Sequence, residues 1–187
     1  MSVSTNDLKT GMTLELDGVL WQLLGFQHVK PGKGHAFVRT KLRNVRSGVV
    51  LERTFRADEK VGLAILERRE MQFLYRDADV YVFMDQETYE QHHVPSAVVG
   101  DAARYLVEGA TAVIPIYEGT PIGVELTASA VLRVSRTDPG IKGDRVSGAM
   151  KPATLETGIS VQVPLFVEEG DRVKVDTRTG QYLERVK

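Results

Sequence analysis

Short strand-like segments, separated by turn residues at intervals of roughly eight to twelve positions, run through the sequence. In the first third they cover residues 13–16, 19–24, 36–42 and 49–55, with tight turns predicted at 17–18 and 46–48. Four or five strands within about 60 residues are typical of a small barrel. This spacing leaves little room for long helices, and it predicts an all-β chain of small barrels or sandwiches.

The same pattern continues through the middle and the end of the chain. Strands are predicted at 67–75, 80–84, 86–91, 110–117, 122–126, 130–134, 159–163, 165–167 and 172–176, and a final hairpin closes onto Tyr182. One segment differs. Apolar residues recur at helical spacing from Val98 to Leu106 and Gly109 follows, so residues 95–108 are predicted to form a short helix.

Three segments of the chain also differ in charge. Residues 1–64 carry 10 Lys/Arg against 6 Asp/Glu, residues 65–127 carry 4 against 11, and residues 128–187 carry 10 against 8. Residues 56–60 interrupt the strand pattern and are the first candidate linker. We predict three domains at 1–64, 65–127 and 128–187, of which the second is acidic. The irregular stretch 137–152 is a candidate functional loop, because long loops in compact domains are usually functional or disordered.

Basic residues are concentrated in one part of the first domain, although the net charge of the chain is −1. Between positions 28 and 56 the single acid Glu52 is accompanied by eight basic residues: Lys30, Lys33, Arg39, Lys41, Arg43, Arg46, Arg53 and Arg56. A basic face of this kind suits a phosphate backbone, and charge asymmetry along a chain is a sign of a nucleic-acid partner. A merely solvated strand face is the alternative interpretation.

Lys33 lies between two glycines in the middle of this basic segment. Strand-like sequence flanks Pro31-Gly32-Lys33-Gly34 on both sides, which predicts a hairpin whose tip carries the lysine. The glycines supply permissive φ values, and the proline fixes φ on entry. Local sequence alone favours an ordinary solvated turn lysine. The basic flanks favour the tip of a hairpin that faces nucleic acid.

The sequence lacks the residues and motifs that most catalytic and metal-binding sites require. The absence of cysteine excludes disulfides, thiolate ligands and cysteine nucleophiles. A Walker A loop requires Ser or Thr after its lysine, whereas Gly34 follows Lys33. His92 and His93 adjoin Pro95 and are predicted in a turn, and neither an HExxH nor a GxSxG sequence occurs. We therefore predict no enzyme activity, no metal and no cofactor.

The apolar segments are too short for membrane insertion. None approaches the roughly 20 residues that a transmembrane helix requires. The N-terminal residues lack the basic and apolar regions of a signal peptide. We therefore expect a cytoplasmic protein with no membrane partner.

Four stretches of the chain carry a family resemblance: VKPGKGHAF at 29–37, ERTF at 52–55, FMDQETYEQ at 83–91, and KPATLETGISVQVPLFVEEGDRVKVDTRTGQY at 151–182. With them the chain resembles bacterial elongation factor P, and the resemblance runs nearly end to end. The resemblance implies an SH3-like (KOW-type) barrel followed by two OB-fold barrels in an L-shaped, tRNA-like arrangement. The related hypusine-containing factor of archaea and eukaryotes is similar over two domains only, so the third domain favours the bacterial family.

The resemblance also implies a function. Members of the family bind both ribosomal subunits beside the peptidyl-tRNA and relieve stalling at consecutive prolines, without being enzymes. By resemblance, Lys33 reaches the CCA end of that tRNA. The tip loop around it is Pro31, Gly32, Gly34 and His35, and the RNA-facing basic residues are Lys30, Arg39, Lys41, Arg43 and Arg53. Gly143, Asp144 and Arg145 match a loop directed toward the exit-site codon of the mRNA, where many relatives have Thr in place of Arg145.

In relatives a modifying enzyme often extends the tip residue, which makes Lys33 a candidate modification site. Some relatives use a bare lysine, often beside a second proline where this chain has His35, so the sequence leaves the modification open. We expect a monomer. Two other hypotheses are a general RNA-binding module of SH3-like and OB barrels, and a paralogue with a diverged role.

Overall fold

The computed structural model describes residues 1–139 and 148–186, which form two compact units. Unit 1 comprises residues 1–68 and 115–123. Unit 2 comprises residues 69–114 and the described part of 124–187. Strands dominate both units, so the prediction of an all-β fold with one short helix is confirmed.

The first sheet contains six antiparallel strands in the order β1-β6-β2-β3-β4-β5. They are β1 (Ser2–Ser4), β2 (Thr13–Leu16), β3 (Val19–Val29), β4 (Phe37–Asn44), β5 (Val50–Arg56) and β6 (Lys60–Ala64), with a 3₁₀-helix at Thr5–Asp7. Exposed and buried residues alternate along β4, as expected for a strand with one buried face. The core inside this sheet consists of Leu8, Leu14, Leu16, Leu23, Val38, Leu42, Phe55 and Val61.

The predicted linker at 56–60 is wrong, because these residues form a turn inside the first sheet. β5 ends at Arg56 and β6 begins at Lys60. The N–H of Glu59 donates to the carbonyl of Arg56 at 3.3 Å, and Asp58 has a φ of 66°. A charged tight turn and a charged linker look alike in sequence. The pairing of β6 with both β1 and β2 distinguishes them.

The second sheet has the order β11-β10-β7-β8-β9, and β12 also pairs with β10. Its strands are β7 (Glu67–Asp77), β8 (Val80–Asp85), β9 (Gln91–Pro95), β10 (Thr111–Tyr117), β11 (Thr120–Pro121) and β12 (Glu125–Leu126). His92 and His93 lie in β9, opposite Phe83 and Val82, so their prediction as turn residues is wrong. Pro95 does not prevent this strand, since β9 is at the edge of the sheet, where proline is tolerated.

The predicted helix at 95–108 is wrong in its extent. Helix α1 spans only Ser96–Val99, and a 3₁₀-helix follows at Gly100–Tyr105. Gly100 separates the two with a φ of 54°, a value outside the right-handed helical region. Leu106 is already extended. The apolar residues keep their helical spacing on both sides of Gly100, but the α-helix ends before this glycine and a 3₁₀-helix begins at it. The spacing alone therefore predicted too long a helix.

The third sheet is antiparallel in the order β15-β14-β13-β16-β17. Its strands are β13 (Ser129–Thr137), β14 (Met150–Leu155), β15 (Ser160–Pro164), β16 (Arg172–Asp176) and β17 (Tyr182–Val186). Their buried residues are Leu132, Val134, Ala153, Leu155, Val161, Val163, Val173 and Val175, joined by Val167. Tyr105 and Val107 pack against this core from the segment after α1.

Two features of the third sheet differ from the sequence prediction. Residues 165–167 form a turn rather than a strand, and the N–H of Val167 donates to the carbonyl of Pro164 at 3.1 Å. The apolar side chain of Val167 is buried without belonging to a strand. β14 was not predicted, because Lys151-Pro152 reads as the end of an irregular stretch. In the fold, Pro152 pairs with Gln162.

Candidate functional site

Lys33 lies in the connection between β3 and β4, and the predicted hairpin is confirmed. The last residue pair is Val29 with Phe37, so residues 30–36 form the connection. β5 accompanies β4 as far as this pair, where Arg56 lies opposite Phe37. The N–H of Ala57 then donates to the carbonyl of Ala36 at 3.0 Å. Residues 30–35 therefore form a tip that begins where three paired strands end.

The backbone of the tip depends on one of its two glycines. Gly34 has a φ of +113°, in a region that side chains with a Cβ rarely adopt. A Cβ at this position would lie 3.8 Å from Pro31 Cγ, which is an ordinary contact. The requirement for glycine is thus conformational rather than steric. Gly32 is not in the left-handed region, so the prediction that both glycines supply an unusual φ holds for Gly34 alone.

The side chains of the tip are directed to solvent. Lys30, Pro31, Gly32, Lys33, Gly34 and His35 are all exposed. Within residues 1–139 and 148–186, the ammonium group of Lys33 has neither a hydrogen-bond partner nor an ion-pair partner. None of the described hydrogen bonds or ion pairs uses the Lys33 ammonium group, so its charge is available to a binding partner.

Three of the predicted RNA-facing residues lie in a row on one face of β4. Arg39, Lys41 and Arg43 alternate with the buried residues of the strand and are exposed. Successive members are separated by about 7 Å, since a strand advances about 3.3 Å per residue. Arg43 donates to Gln22 Oε1, and Lys41 lies opposite Glu52 on β5. We call Arg39, Lys41 and Arg43 the basic row.

Arg53 does not belong to the basic row. It pairs with Thr40, whose side chain is buried, and directly opposed residues of an antiparallel pair point to the same face. Arg53 forms an ion pair with Asp17 at 3.2 Å, and its guanidinium lies 5.3 Å from the centre of the Phe55 ring. The structure thus divides the predicted basic set between two faces of the sheet.

Two aromatic side chains near the tip were not predicted. Phe26 and His28 contact each other edge to face, with ring centroids 5.5 Å apart. They lie opposite Thr40 and Val38, on the same face of the sheet as Arg53. Both are exposed, although Thr40 and Val38 opposite them are buried. Phe26 and His28 are two residues apart, which is the spacing of side chains on one face of a strand. The strand was predicted only for 19–24, so this signal was not used.

The motif at 83–91 has a structural role. Residues 86–90 form a turn between β8 and β9, so the strand predicted at 86–91 is wrong. Asp85 is buried, and its Oδ1 accepts from the N–H groups of Glu87 and Thr88 at 2.8 and 3.0 Å. Arg69 forms an ion pair with the other oxygen at 3.1 Å. The hydrogen bonds from Thr88 and Glu87, and then Arg69, hold the pKa of the Asp85 carboxyl below its ordinary value. This carboxylate stabilises a turn and shows no arrangement for catalysis.

The same six-residue turn occurs once in each sheet, at 44–49, 85–90 and 176–181. In every case the first side chain, Asn44, Asp85 or Asp176, accepts from the N–H groups two and three residues later. The N–H of the fifth residue donates to the first carbonyl. The fifth residue has a positive φ: 72° at Gly48, 61° at Tyr89 and 72° at Gly180. We call these the Asx turns.

Gly143, Asp144 and Arg145 lie outside the described residues. Both flanks of that segment are held in the third sheet. Lys151 is buried, and its Nζ donates to the carbonyl of Asp138 at 2.6 Å. Thr137 Oγ1 donates to the carbonyl of Pro152 at 2.9 Å.

The described ranges contain neither a metal-binding cluster nor a membrane-spanning helix. Residues 1–139 and 148–186 contain no group of three His, Asp or Glu side chains arranged to hold a metal ion. In the same ranges, no helix has both the length and the apolar character needed to cross a bilayer.

Comparison with known domains defines the class of this protein. Residues 4–61 match the model described as "Elongation factor P (EF-P) KOW-like domain", and residues 66–124 match the "Elongation factor P (EF-P) OB domain". Residues 130–185 match "Elongation factor P, C-terminal". The molecule is therefore a translation factor built from KOW-like and OB domains.

Curated relatives match over nearly the whole chain. Elongation factor P of Acidothermus cellulolyticus is 59% identical over 182 residues, covering 97% of each chain. Elongation factor P of Mycobacterium avium is 54% identical over 183 residues, covering 98% of each. The chain belongs to the elongation factor P family, and it is a translation elongation factor rather than a classical enzyme.

Solved structures are similar over part of the chain. A "Eukaryotic translation initiation factor 5A from Methanococcus jannaschii" is 27% identical with a TM-score of 0.56, covering 66% of this chain and 93% of its own. A protein of the eif-5a family from Naegleria fowleri is 16% identical with a TM-score of 0.51, covering 67% and 98%. The second likeness shows the fold alone.

Proposed function

We propose that this elongation factor binds the ribosome beside the peptidyl-tRNA and relieves stalling at consecutive prolines. In this proposal Lys33 contacts the CCA end of the tRNA and holds it in a geometry that favours peptide-bond formation. The ribosome performs the chemistry, and the factor contributes position. Family membership supports the general role in translation.

The observation that carries the proposal is the combination of an unpaired Lys33 and a braced tip. The lysine has no partner in the part of the chain that the structure describes. The tip starts at the end of three paired strands, which restrict its direction. An exposed cation on such a support is suited to binding phosphate, since the backbone of the tip needs little ordering on binding and only the lysine side chain loses rotamer freedom.

The physical basis of the proposed activity is entropic. Proline is a poor nucleophile with a locked φ, so bond formation at consecutive prolines depends on how the peptidyl-tRNA is held. Holding two reactants in a productive geometry removes translational and rotational freedom before the reaction. The basic row of Arg39, Lys41 and Arg43 adds further positive charge for an RNA backbone.

The proposal is tested by ribosome profiling after deletion of the gene in the native host. We expect ribosome occupancy to rise at codons for consecutive prolines and to return to normal when the intact gene is restored. Occupancy at single-proline codons serves as the internal control. Unchanged occupancy at consecutive prolines would contradict the proposal.

A general RNA-binding module is the second candidate, and the basic row favours it because its three exposed cations do not depend on the tip. This function predicts salt-sensitive binding to free RNA without preference for ribosomes. Sedimentation of the chain with purified ribosomes, in competition with excess free RNA, separates the two candidates. Retention on ribosomes supports positioning, and loss to free RNA supports the general module.

Three further parts of the proposal have separate tests. Modification of Lys33 by a partner enzyme predicts added mass on the intact protein from the native host. Contact of Gly143, Asp144 and Arg145 with the exit-site codon predicts crosslinks from that loop to mRNA. A cytoplasmic monomer predicts recovery in the soluble cell fraction and elution at the size of one 20.7 kDa chain.

A further inference from the structure

Unit 2 contains a cleft that plays no part in the proposed action of Lys33. Its volume is about 730 Å³, within the range of pockets that hold nucleotide-sized ligands. Buried or half-buried apolar side chains form its floor: Phe73, Tyr81, Leu106, Val107 and Val131. Exposed charged side chains form its rim: Arg76, Arg133, Arg172, Glu108 and Glu156. The cleft is open to solvent and its accessible lining is more polar than apolar, so it suits a ligand that carries charge as well as an apolar part.

Two arginines of the rim lie directly opposite each other. Arg133 on β13 pairs with Arg172 on β16, and directly opposed residues have Cβ atoms about 5 Å apart on one face. Like charges in this position destabilise a sheet. Neither guanidinium group forms an ion pair with another residue in the described ranges. The pair therefore concentrates positive charge that the fold leaves uncompensated.

Arg76 brings a third guanidinium to the rim in a restrained orientation. Its Nε donates to the carbonyl of Ala78 at 2.8 Å, and its Cζ lies 5.3 Å from the centre of the Tyr81 ring. The hydrogen bond uses Nε and leaves both terminal NH₂ groups for another acceptor. Paired NH₂ groups match the oxygen spacing of a phosphate.

Two polar side chains of the cleft lining differ in what they can offer a ligand. Thr157 Oγ1 is buried and makes no hydrogen bond with any described residue. Because this oxygen is closed to solvent, it is not a contact for a ligand in the cleft. Nearby, Glu156 Oε1 accepts from the backbone N–H of Arg133 at 2.7 Å. That bond holds one carboxylate at the rim, where it can accept a hydrogen bond from a ligand hydroxyl or amine.

We propose that this cleft binds a phosphorylated small molecule of nucleotide size. Arg133 and Arg172 bind the phosphate group, and Arg76 contributes a third guanidinium. The organic part lies on the apolar floor, and the Glu156 carboxylate accepts a hydrogen bond from one of its polar groups. Three arginines against two glutamates give the rim a net positive charge, which favours an anion. The inference concerns unit 2 alone and is independent of the role of Lys33.

The test is calorimetric titration of the full-length chain with adenosine 5′-monophosphate at low salt. Adenosine and inorganic phosphate are titrated in parallel. We expect binding of the monophosphate, weaker binding of inorganic phosphate and none of adenosine. Arg172→Gln and Arg133→Gln are expected to weaken binding about tenfold or more, since each removes a charge-assisted contact.

Arg178→Gln is the matched control, because Arg178 is an exposed arginine of the same unit outside the cleft. It is expected to bind the monophosphate like the unaltered chain. Thermal melting checks the fold, and Arg172→Gln is expected to melt no lower, since it relieves repulsion from Arg133.

Three results would overturn the inference. The first is no binding of the monophosphate at millimolar concentration. The second is equal loss of binding in Arg172→Gln and Arg178→Gln, which would indicate a nonspecific charge effect. The third is displacement of the monophosphate by single-stranded hexauridylate with loss of hexauridylate binding in Arg172→Gln, which would make the cleft part of an RNA-binding surface. Equal affinity for inorganic phosphate and the monophosphate would overturn the nucleotide-size assignment.

Discussion

The tip at 30–35 and the Asx turns at 44–49, 85–90 and 176–181 all connect neighbouring antiparallel strands, but they use their side chains differently. Each Asx turn closes on itself, with an Asn or Asp side chain accepting two backbone N–H groups. The tip has no such bond, and its lysine has no partner within the described residues. Side chains that satisfy their own turn are unavailable to a partner, whereas Lys33 is available.

The difference separates residues that maintain the fold from residues that act outside it. Removal of a group from an Asx turn should change stability, and removal of the Lys33 side chain should change activity alone. Both turn types nevertheless occur in sequence stretches that carry the family resemblance. Resemblance alone therefore does not distinguish the two roles. The four predictions below do so.

The largest effect is expected at Lys33. Lys33→Ala should reduce the synthesis of a reporter with consecutive prolines about tenfold or more, because loss of positioning has effects of this size or larger. The melting temperature should not change, since the exposed side chain takes part in no described hydrogen bond or ion pair. The measurement is translation in a reconstituted system lacking the native factor. Lys9→Ala, an exposed lysine of the same unit, is the control and should be fully active.

The next largest effect is expected at Asp85, where a substitution should lower stability without acting directly on the function of Lys33. Asp85→Ala leaves two backbone N–H groups of the turn and the Arg69 guanidinium without the buried carboxylate that they share. The urea midpoint of unfolding should fall clearly below that of the unaltered chain. Asp77→Ala, at an exposed position, should leave it nearly unchanged. Equal midpoints for the two variants would show that the Asx turn contributes nothing to stability.

A moderate effect is expected when the pH is lowered. The pKa of Asp85 lies below its ordinary value of 3.8, owing to hydrogen bonds from Thr88 and Glu87 and then to Arg69. The pKa of Asp176 is lowered by Thr179 and Arg178. A lowered pKa in the folded state stabilises the protein above the ordinary value, and this contribution is lost as the pH falls through the folded value.

Urea unfolding between pH 7 and pH 2.5 measures this dependence. Stability should decline on acidification, and the decline should be smaller in Asp85→Asn, which has no carboxyl to protonate. Circular dichroism at pH 7 checks that Asp85→Asn is folded. An identical decline in both chains would show that Asp85 does not contribute to the pH dependence.

The smallest effect is expected at the fifth position of the Asx turns. Tyr89 occupies the left-handed region with a φ of 61°, where the other two turns have glycine. Tyr89→Gly should raise the free energy of unfolding by roughly 0.5–1 kcal/mol. Glycine avoids the cost of the left-handed conformation in the folded state, and the greater entropy of glycine in the unfolded chain offsets part of this gain. Gly180→Ala should lower it by about 1 kcal/mol. Opposite signs in denaturant unfolding confirm the prediction, and equal signs contradict it.

Much of the fold could be predicted from local sequence. Alternation of polar and apolar residues located β4, and the Pro/Gly connection located the tip of the hairpin. Local sequence failed where tertiary pairing decides the structure. Residues 56–60 look like a linker until β6 pairs with β1 and β2, and His92 and His93 look like a turn until β9 pairs with β8.

The candidate sites show the same division. Arg39, Lys41 and Arg43 were among the predicted basic residues, and their common face follows from the strand period. Lys33 was predicted from the Pro/Gly connection between two strands. The separation of Arg53 from the basic row was not predicted, since the face of a residue on β5 depends on its register with Thr40. The opposition of Arg133 and Arg172 joins positions far apart in sequence. Only the pairing of β13 with β16 brings them together.

The order of the strands has a consequence for how this protein behaves at high concentration. The outermost strands of the sheets include β5, β9, β15 and β17. β5 carries Glu52, Arg53 and Arg56, and β17 carries Glu184 and Arg185. β9 and β15 each end in a proline, which cannot donate a backbone hydrogen bond. Charges and prolines on exposed edges oppose the addition of a foreign strand, so these sheets are protected against edge-to-edge aggregation.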